Sequence, residues 1–147
     1  MKYGFLFLFF ALSPLLAEEI YLTCTVTQIA ASQKEGQIDT KLKKMEKFIQ
    51  KDDSLSQFSS FKYLGKKTLN ATKEKLASMK LKNGQALKMK PVSVLRAHRK
   101  NTITLDLRIG NEELKKRIID RNSLFVRAGS LPKSAELVLA FSCPVFP

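Results

Sequence analysis

From Ile20 onward the chain is organised mainly by alternation of apolar and polar residues, and one stretch follows a different period. Ile20 to Ala31 is rich in β-branched residues and places Ile20, Leu22, Cys24 and Val26 on one face, which predicts a half-buried first strand. Ser32 to Gln37 contains Gly36 and breaks it. Apolar residues then recur at Ile38, Leu42, Met45, Phe48 and Ile49, the spacing of an amphipathic helix running to about Lys51, with Asp39 placed to cap its start. Lys41, Lys43, Lys44 and Lys47 take most of the remaining helical surface.

Short strands are expected after that helix. Phe58 to Leu69 carries Phe61, Tyr63 and Gly65 in one phase and Leu64 in the other. Ala77, Met79 and Leu81 alternate with Ser78, Lys80 and Lys82, and the pattern resumes after Asn83-Gly84 with Leu87, Met89 and Pro91. A two-residue Asn-Gly turn would set Leu87 opposite Lys80 and turn the apolar set to water. A loop of Lys82-Asn83-Gly84 instead sets Leu87 opposite Met79 and Met89 opposite Ala77, with Gly84 in the left-handed position. Pro91 is expected to end that pairing or to sit at an edge. Val92 to His98 reads as a further strand, and Ile103, Leu105, Leu107 and Ile109 alternate most cleanly of all. Glu112 to Asp120 fits a short helix through Leu114, Ile118 and Ile119 or a strand, and its β neighbours favour the strand. Leu124, Val126 and Ala128 form the next strand, Gly129 to Lys133 a turn, and Ala135 to Cys143 the last strand. The expected fold class is mainly β: an antiparallel β-sandwich or curled sheet of about seven or eight strands, with one amphipathic helix near the N-terminus over a sheet face or an open end.

The alternation does not extend to residues 1–17. Lys2 is followed by the apolar run Gly4 to Leu12, then Ser13-Pro14, then the small residue Ala17. This reads as a secretory signal peptide with the mature chain starting at Glu18, since the run is shorter than the roughly 20 residues of a membrane span. No cysteine follows the cleavage point to take a lipid anchor. The expectation is therefore residues 1–17 as signal peptide and 18–147 as a single β-rich domain, monomeric, exported to a periplasmic or secreted location, with no transmembrane span once the leader is removed.

Charge narrows the partners. Lys and Arg number 26 against 13 Asp and Glu, and the leader removes only Lys2. Such a surplus favours an acidic polymer or anionic lipid head groups, and export argues against intracellular nucleic acid. Lys80, Lys82, Lys88 and Lys90 project from the polar phase of the expected hairpin and are the candidate binding residues. The same lysines could instead guard an exposed edge against strand addition. Lys115, Lys116, Arg117, Arg96, Arg99 and Lys100 would join a basic surface only if the fold gathers them.

Little in the chain points to catalysis. Cys24 and Cys143 each share the inward phase of a terminal strand, which predicts a disulfide and requires the first and last strands to be neighbours. His98, the single histidine, is surrounded by Arg96, Arg99 and Lys100, whose charges repel a metal ion. A nucleophile motif is absent, and the carboxylate pairs Glu18-Glu19, Asp52-Asp53 and Glu112-Glu113 fall in expected termini and turns. A polymer hydrolase would need Asp106, Asp120 or Glu136 to converge with His98, and that reading is disfavoured. No enzyme activity, metal or cofactor is expected. Asn70-Ala71-Thr72 matches the glycosylation pattern only in a source that glycosylates exported chains.

The order of leader, strand and Asp39-capped helix, then Phe61-Lys62-Tyr63-Leu64-Gly65, Lys82-Asn83-Gly84-Gln85-Ala86-Leu87 and a terminal Glu136-Leu137-Val138-Leu139-Ala140 strand, resembles a group of small exported bacterial proteins of unknown role. That group tends to be glycine-rich before the last strand, where this chain has Val126-Arg127-Ala128-Gly129-Ser130. The resemblance implies an envelope or secreted location and supplies no catalytic residues. Together these readings point to a non-catalytic envelope module for binding or assembly, its partner an envelope protein or an anionic polymer or lipid.

Overall fold

The structure, a computed structural model, describes residues 21–97, 100–119 and 122–144. The expected leader, its cleavage point, His98 and Asp120 lie outside the described residues. Eight strands are present: β1 (Leu22–Ser32), β2 (Ser60–Ala71), β3 (Ala77–Lys80), β4 (Ala86–Arg96), β5 (Asn101–Ile109), β6 (Glu112–Ile119), β7 (Leu124–Leu131) and β8 (Ala135–Ser142). They form two four-stranded antiparallel sheets, ordered β2-β1-β8-β7 and β3-β4-β5-β6. The mainly β, sandwich-like class expected from the alternation is the observed one.

The inner faces of the sheets meet in one apolar core. Val26, Leu137, Leu139 and Phe141 of the first sheet pack with Leu87, Met89, Leu105 and Leu107 of the second. A second core lies on the opposite face of the first sheet, where Ile29, Val138 and Ala140 are covered by Leu42, Ile49 and Leu55. These three come from the helical segment between β1 and β2: a 3-10 turn (Thr40–Met45), helix α1 (Glu46–Lys51) and a second 3-10 turn (Asp53–Leu55). The first sheet is thus buried on both faces, which is why Leu137 to Phe141 of β8 is apolar without interruption.

The terminal strands are neighbours, as the cysteines required. Thr25 pairs with Ser142 across β1 and β8, which sets Cys24 opposite Cys143, and the two are joined by a disulfide. The bridge closes a loop of 119 residues. In the chain-entropy view, closure on that scale stabilises a domain by roughly 4–5 kcal/mol.

The β3–β4 hairpin has the expected register, Met79 opposite Leu87 and Ala77 opposite Met89, with Gly84 at φ 88°. Its turn also ties the two sheets together. The Lys82 N–H donates to the buried Gln28 Oε1 of β1 at 2.8 Å, and Asn83 Nδ2 donates to the Ala128 carbonyl of β7 at 2.8 Å. Gly129 admits this contact: a Cβ there would lie 3.3 Å from Asn83 Nδ2, on a backbone at φ 104°.

Four expectations need correction. Val92 to His98 is not a separate strand, because β4 runs unbroken from Ala86 to Arg96 through Pro91. Pro91 is tolerated there because the β3 pairing has already ended at Met89 and a register shift follows it on the β5 side. The helix is only half α: its first turns are 3-10. The Asp39 N–H donates to Phe61 O at 2.9 Å and Leu42 N–H returns to Asp39 O at 2.8 Å, so the segment leaves the edge of β2 in the tighter winding. The single phase expected through Phe61, Tyr63 and Gly65 is broken by a bulge at Leu64-Gly65, which moves Phe61 and Tyr63 to the outer core and Leu69 and Ala71 to the inner one. Finally, β7 extends past Gly129 to Leu131, and the turn shrinks to residues 132–134.

Candidate functional site

Among the described residues nothing forms a second layer over the outer face of the second sheet. The inward phase of β5 holds Ile103, Leu105, Leu107 and Ile109, so Thr102, Thr104, Asp106 and Arg108 point away from the core. Register carries that phase across the sheet. Lys88 lies opposite Arg108, which lies opposite Glu113; Lys90 lies opposite Asp106, which lies opposite Lys115; Thr104 lies opposite Arg117. Lys80, across from Ala86 on β3, completes the set.

The outer face of this sheet therefore carries six cationic residues, Lys80, Lys88, Lys90, Arg108, Lys115 and Arg117, against two carboxylates, Asp106 and Glu113. Glu113 is partly engaged, with an oxygen 3.6 Å from Arg108 in an exposed ion pair. Such pairs contribute little in water, and Arg108 stays accessible to another anion. A shallow concavity of about 510 Å³ lies here, walled by Leu76, Lys88, Lys90, Arg108 and Lys115 with both Asp106 and Glu113 in its lining. At the far end of the face Leu95 and Ile119 flank Thr102, 66% and 36% exposed.

Of the four expected binding lysines, three share this face and one does not. Lys80, Lys88 and Lys90 are on it, whereas Lys82 sits in the turn that docks on β1 and lines a recess with residues of the first sheet. Lys115 and Arg117 are gathered onto the face, but Lys116 lies opposite Leu105 in the inward phase. Arg108 went unnoticed in the sequence. Its place in the clean alternation of β5 fixed its outward direction, but nothing local announced that β4 and β6 would flank it.

Asp106 and Glu136, two of the carboxylates a hydrolase would have to bring together, lie on different sheets. Asp106 is on the outer face of the second sheet. Glu136 lies on the outer side of the first sheet, where Arg127 donates to both its oxygens at 2.8 and 2.7 Å and sits 5.3 Å from the Phe58 ring centroid. Asp52 caps a 3-10 turn by accepting from Ser54 N–H at 2.9 Å, and Asp39 accepts from the Lys41 and Tyr63 N–H groups, each at 3.1 Å. Those two backbone donors, Lys41 first and Tyr63 second, hold the Asp39 carboxyl below its ordinary pKa. Among the described residues no group of three His, Cys, Asp or Glu side chains is placed to hold a metal ion. No helix among them is long and apolar enough to cross a membrane.

Comparison with protein-family models, with curated proteins and with solved structures gives no match, so the reading of this site rests on the chain's own residues.

Proposed function

We propose that this chain is a non-catalytic binding module of the cell envelope or the secreted fraction, and that it presents the outer face of its second sheet to an acidic polymer or to anionic lipid head groups. The observation that carries the reading is the convergence of cations from four adjacent strands on a face that no described residue covers. A sheet face of this kind offers an array of charge, which attracts polyanions at long range and reads them with low sequence specificity. The bridged Cys24 and Cys143 support an oxidising compartment, and the leader-like N-terminus supports export. A second reading, assembly with an envelope protein, draws on the adjacent exposed side chains of Leu95 and Ile119.

Titration of the protein with a polyuronate and with phosphatidylglycerol vesicles, at rising salt, tests the first reading. Binding is expected to weaken steadily toward 1 M salt, where screening reaches within about 3 Å. The variant Lys80→Gln/Lys88→Gln/Lys90→Gln should bind at least about tenfold more weakly while keeping its stability within about 0.5 kcal/mol. Full binding by that variant would reject the face as the site. Salt-independent binding to an envelope protein, lost in Leu95→Ser, would replace the first reading with the second.

A further inference from the structure

The first sheet is longer than the second at one end, and the uncovered part of its inner face is a second concavity. The inward phase of β1 runs Leu22, Cys24, Val26, Gln28, Ala30, Ser32. The β3–β4 turn closes the sandwich at Gln28, through the Lys82 N–H bond, and among the described residues no strand residue of the second sheet lines the space beside Ala30 and Ser32. What remains is a recess of about 540 Å³. Its floor is made of small or aliphatic groups: Ala30, Leu64, Leu131 and Ala135.

Four lysines surround that floor. Lys34 follows β1, Lys62 is on β2, Lys82 is in the β3–β4 turn and Lys133 is at the tip of the β7–β8 hairpin. Among the described residues no Asp or Glu is in the lining. The nearest carboxylate along β8, Glu136, is on the other side of the sheet and held by Arg127. Lys133 and Ser134 both have positive φ, 64° and 61°, the conformation that the tight β7–β8 turn requires, and this fixes Lys133 at the tip of the hairpin.

We propose that this recess binds one molecule of a single-chain anionic amphiphile, the aliphatic chain on the Ala30–Leu64–Leu131–Ala135 floor and the anionic head among the lysines. Lys34, Lys82 and Lys133 supply positive charge, Lys62 adds to it while also facing the Asp39 carboxylate, and the apolar floor gives a chain surface to bury. A peptide is less suited. β1 and β8 are interior strands with their backbone groups already paired, so the floor offers a peptide's amides no backbone partners. The adjacent edge of β2 is also taken: the Phe61 N–H donates to Gln37 O at 3.3 Å, Asp39 N–H donates to Phe61 O, and Tyr63 N–H is held by the Asp39 carboxylate. Lysine reads the charge of a head group more than its shape, so carboxylate and phosphate heads should both serve.

The test is calorimetry or tryptophan-free fluorescence displacement on the full mature protein, with dodecanoate, dodecyl phosphate, octanoate and dodecanol, all below their micelle concentrations. Dodecanoate and dodecyl phosphate are expected to bind one to one, with octanoate at least about tenfold weaker because each buried methylene is worth roughly threefold or more, and dodecanol at least about tenfold weaker because it brings no charge to the lysines. Lys62→Gln/Lys82→Gln/Lys133→Gln should lose about tenfold or more in affinity, while Lys80→Gln/Lys88→Gln/Lys90→Gln should leave it unchanged. Ala30→Leu and Ala135→Leu fill the floor in two different strands, and at least one that retains the wild-type melting temperature should block the chain. Binding of polyglutamate in place of the amphiphiles, binding only to vesicles, or equal loss in both lysine variants would overturn the proposal. Because the outer-face lysines are the control, failure here leaves the polyanion reading standing, and its failure leaves this site standing.

Discussion

The two sheets are built to the same plan and live in different surroundings. Each has four antiparallel strands, and each turns one face to the shared core. The first has its other face sealed by Leu42, Ile49 and Leu55 from the helical segment, whereas no described residue seals the other face of the second. The sequences record this. In β8, Leu137, Val138, Leu139, Ala140 and Phe141 are all buried, while in β5 Ile103, Leu105 and Leu107 are buried and Thr104, Asp106 and Arg108 are not. A face free of structural duty is one whose residues can be chosen for a partner, and the cations collect there. Outer-face residues of the first sheet should therefore govern stability, and those of the second should govern binding.

The largest expected effect comes from putting the same charge on both outer faces. Val138 is fully buried beneath the helical cover, so Val138→Lys places an unpaired ammonium there and should cost at least about 4 kcal/mol or prevent folding. Thr104→Lys makes the matching change on the open face, and should stay within about 1 kcal/mol, the span of strand preferences. Urea melts of the two variants decide it. Comparable losses would mean that the second sheet has a cover too.

This contrast also explains what could be read from the chain. Alternation is legible where one face is wet, and β5 and the β3–β4 hairpin were placed with their phases and register from Ile103 to Ile109 and from Ala77 to Met89 alone. The disulfide followed from phase as well, since Cys24 and Cys143 each sit among inward residues. The bulge at Leu64-Gly65 was not legible, because either phase of β2 could be continued through it. The β3 pairing does end before Pro91, as expected, but the strand itself continues to Arg96, because whether a missing N–H breaks β4 depends on where β3 stops, which is a property of another strand. The basic face was half legible. Parity gives the direction of Lys88 or Arg108 within its strand, but strand order decides that they are neighbours. The recess was not legible at all, since Lys34, Lys62, Lys82 and Lys133 come from separate segments and meet only where one sheet outruns the other.

A smaller effect comes from the bridge, which belongs to the first sheet alone. Replacing both cysteines by serine should lower stability by about 2–5 kcal/mol, as for native disulfides in small secreted domains. Hydrogen exchange should show the loss first at the ends of β1 and β8, near Thr25 and Ser142, with β4 and β5 keeping their protection at mild denaturant. Uniform loss across both sheets would show that they open as a single unit.

The smallest effect is confined to acid. Asp39 fastens the helical cover to the first sheet: Oδ1 accepts from the Lys41 N–H and Oδ2 from the Tyr63 N–H. Both donors favour the charged carboxylate, so its pKa is lower in the folded chain than in the unfolded one. The sign follows from proton binding. Between the two pKa values the unfolded chain binds more protons, so the contribution is complete above the ordinary carboxylate pKa and is lost as pH falls through the lowered, folded value. Lys41 and Lys62 also face the group and act in the same direction, and they remain charged throughout this range. Asp39→Asn removes the titration and puts an amide NH₂ against one of two N–H donors, so neither orientation of the amide satisfies both. Near neutral pH the variant should therefore be less stable than wild type, and the difference should narrow as acid protonates Asp39. Exchange at the Lys41 and Tyr63 amides should follow that narrowing, while the Leu105 and Leu107 amides of the second sheet should not. A gap between variant and wild type that stays constant with pH would show that the cover is held by Leu42, Ile49 and Leu55 without help from the carboxylate.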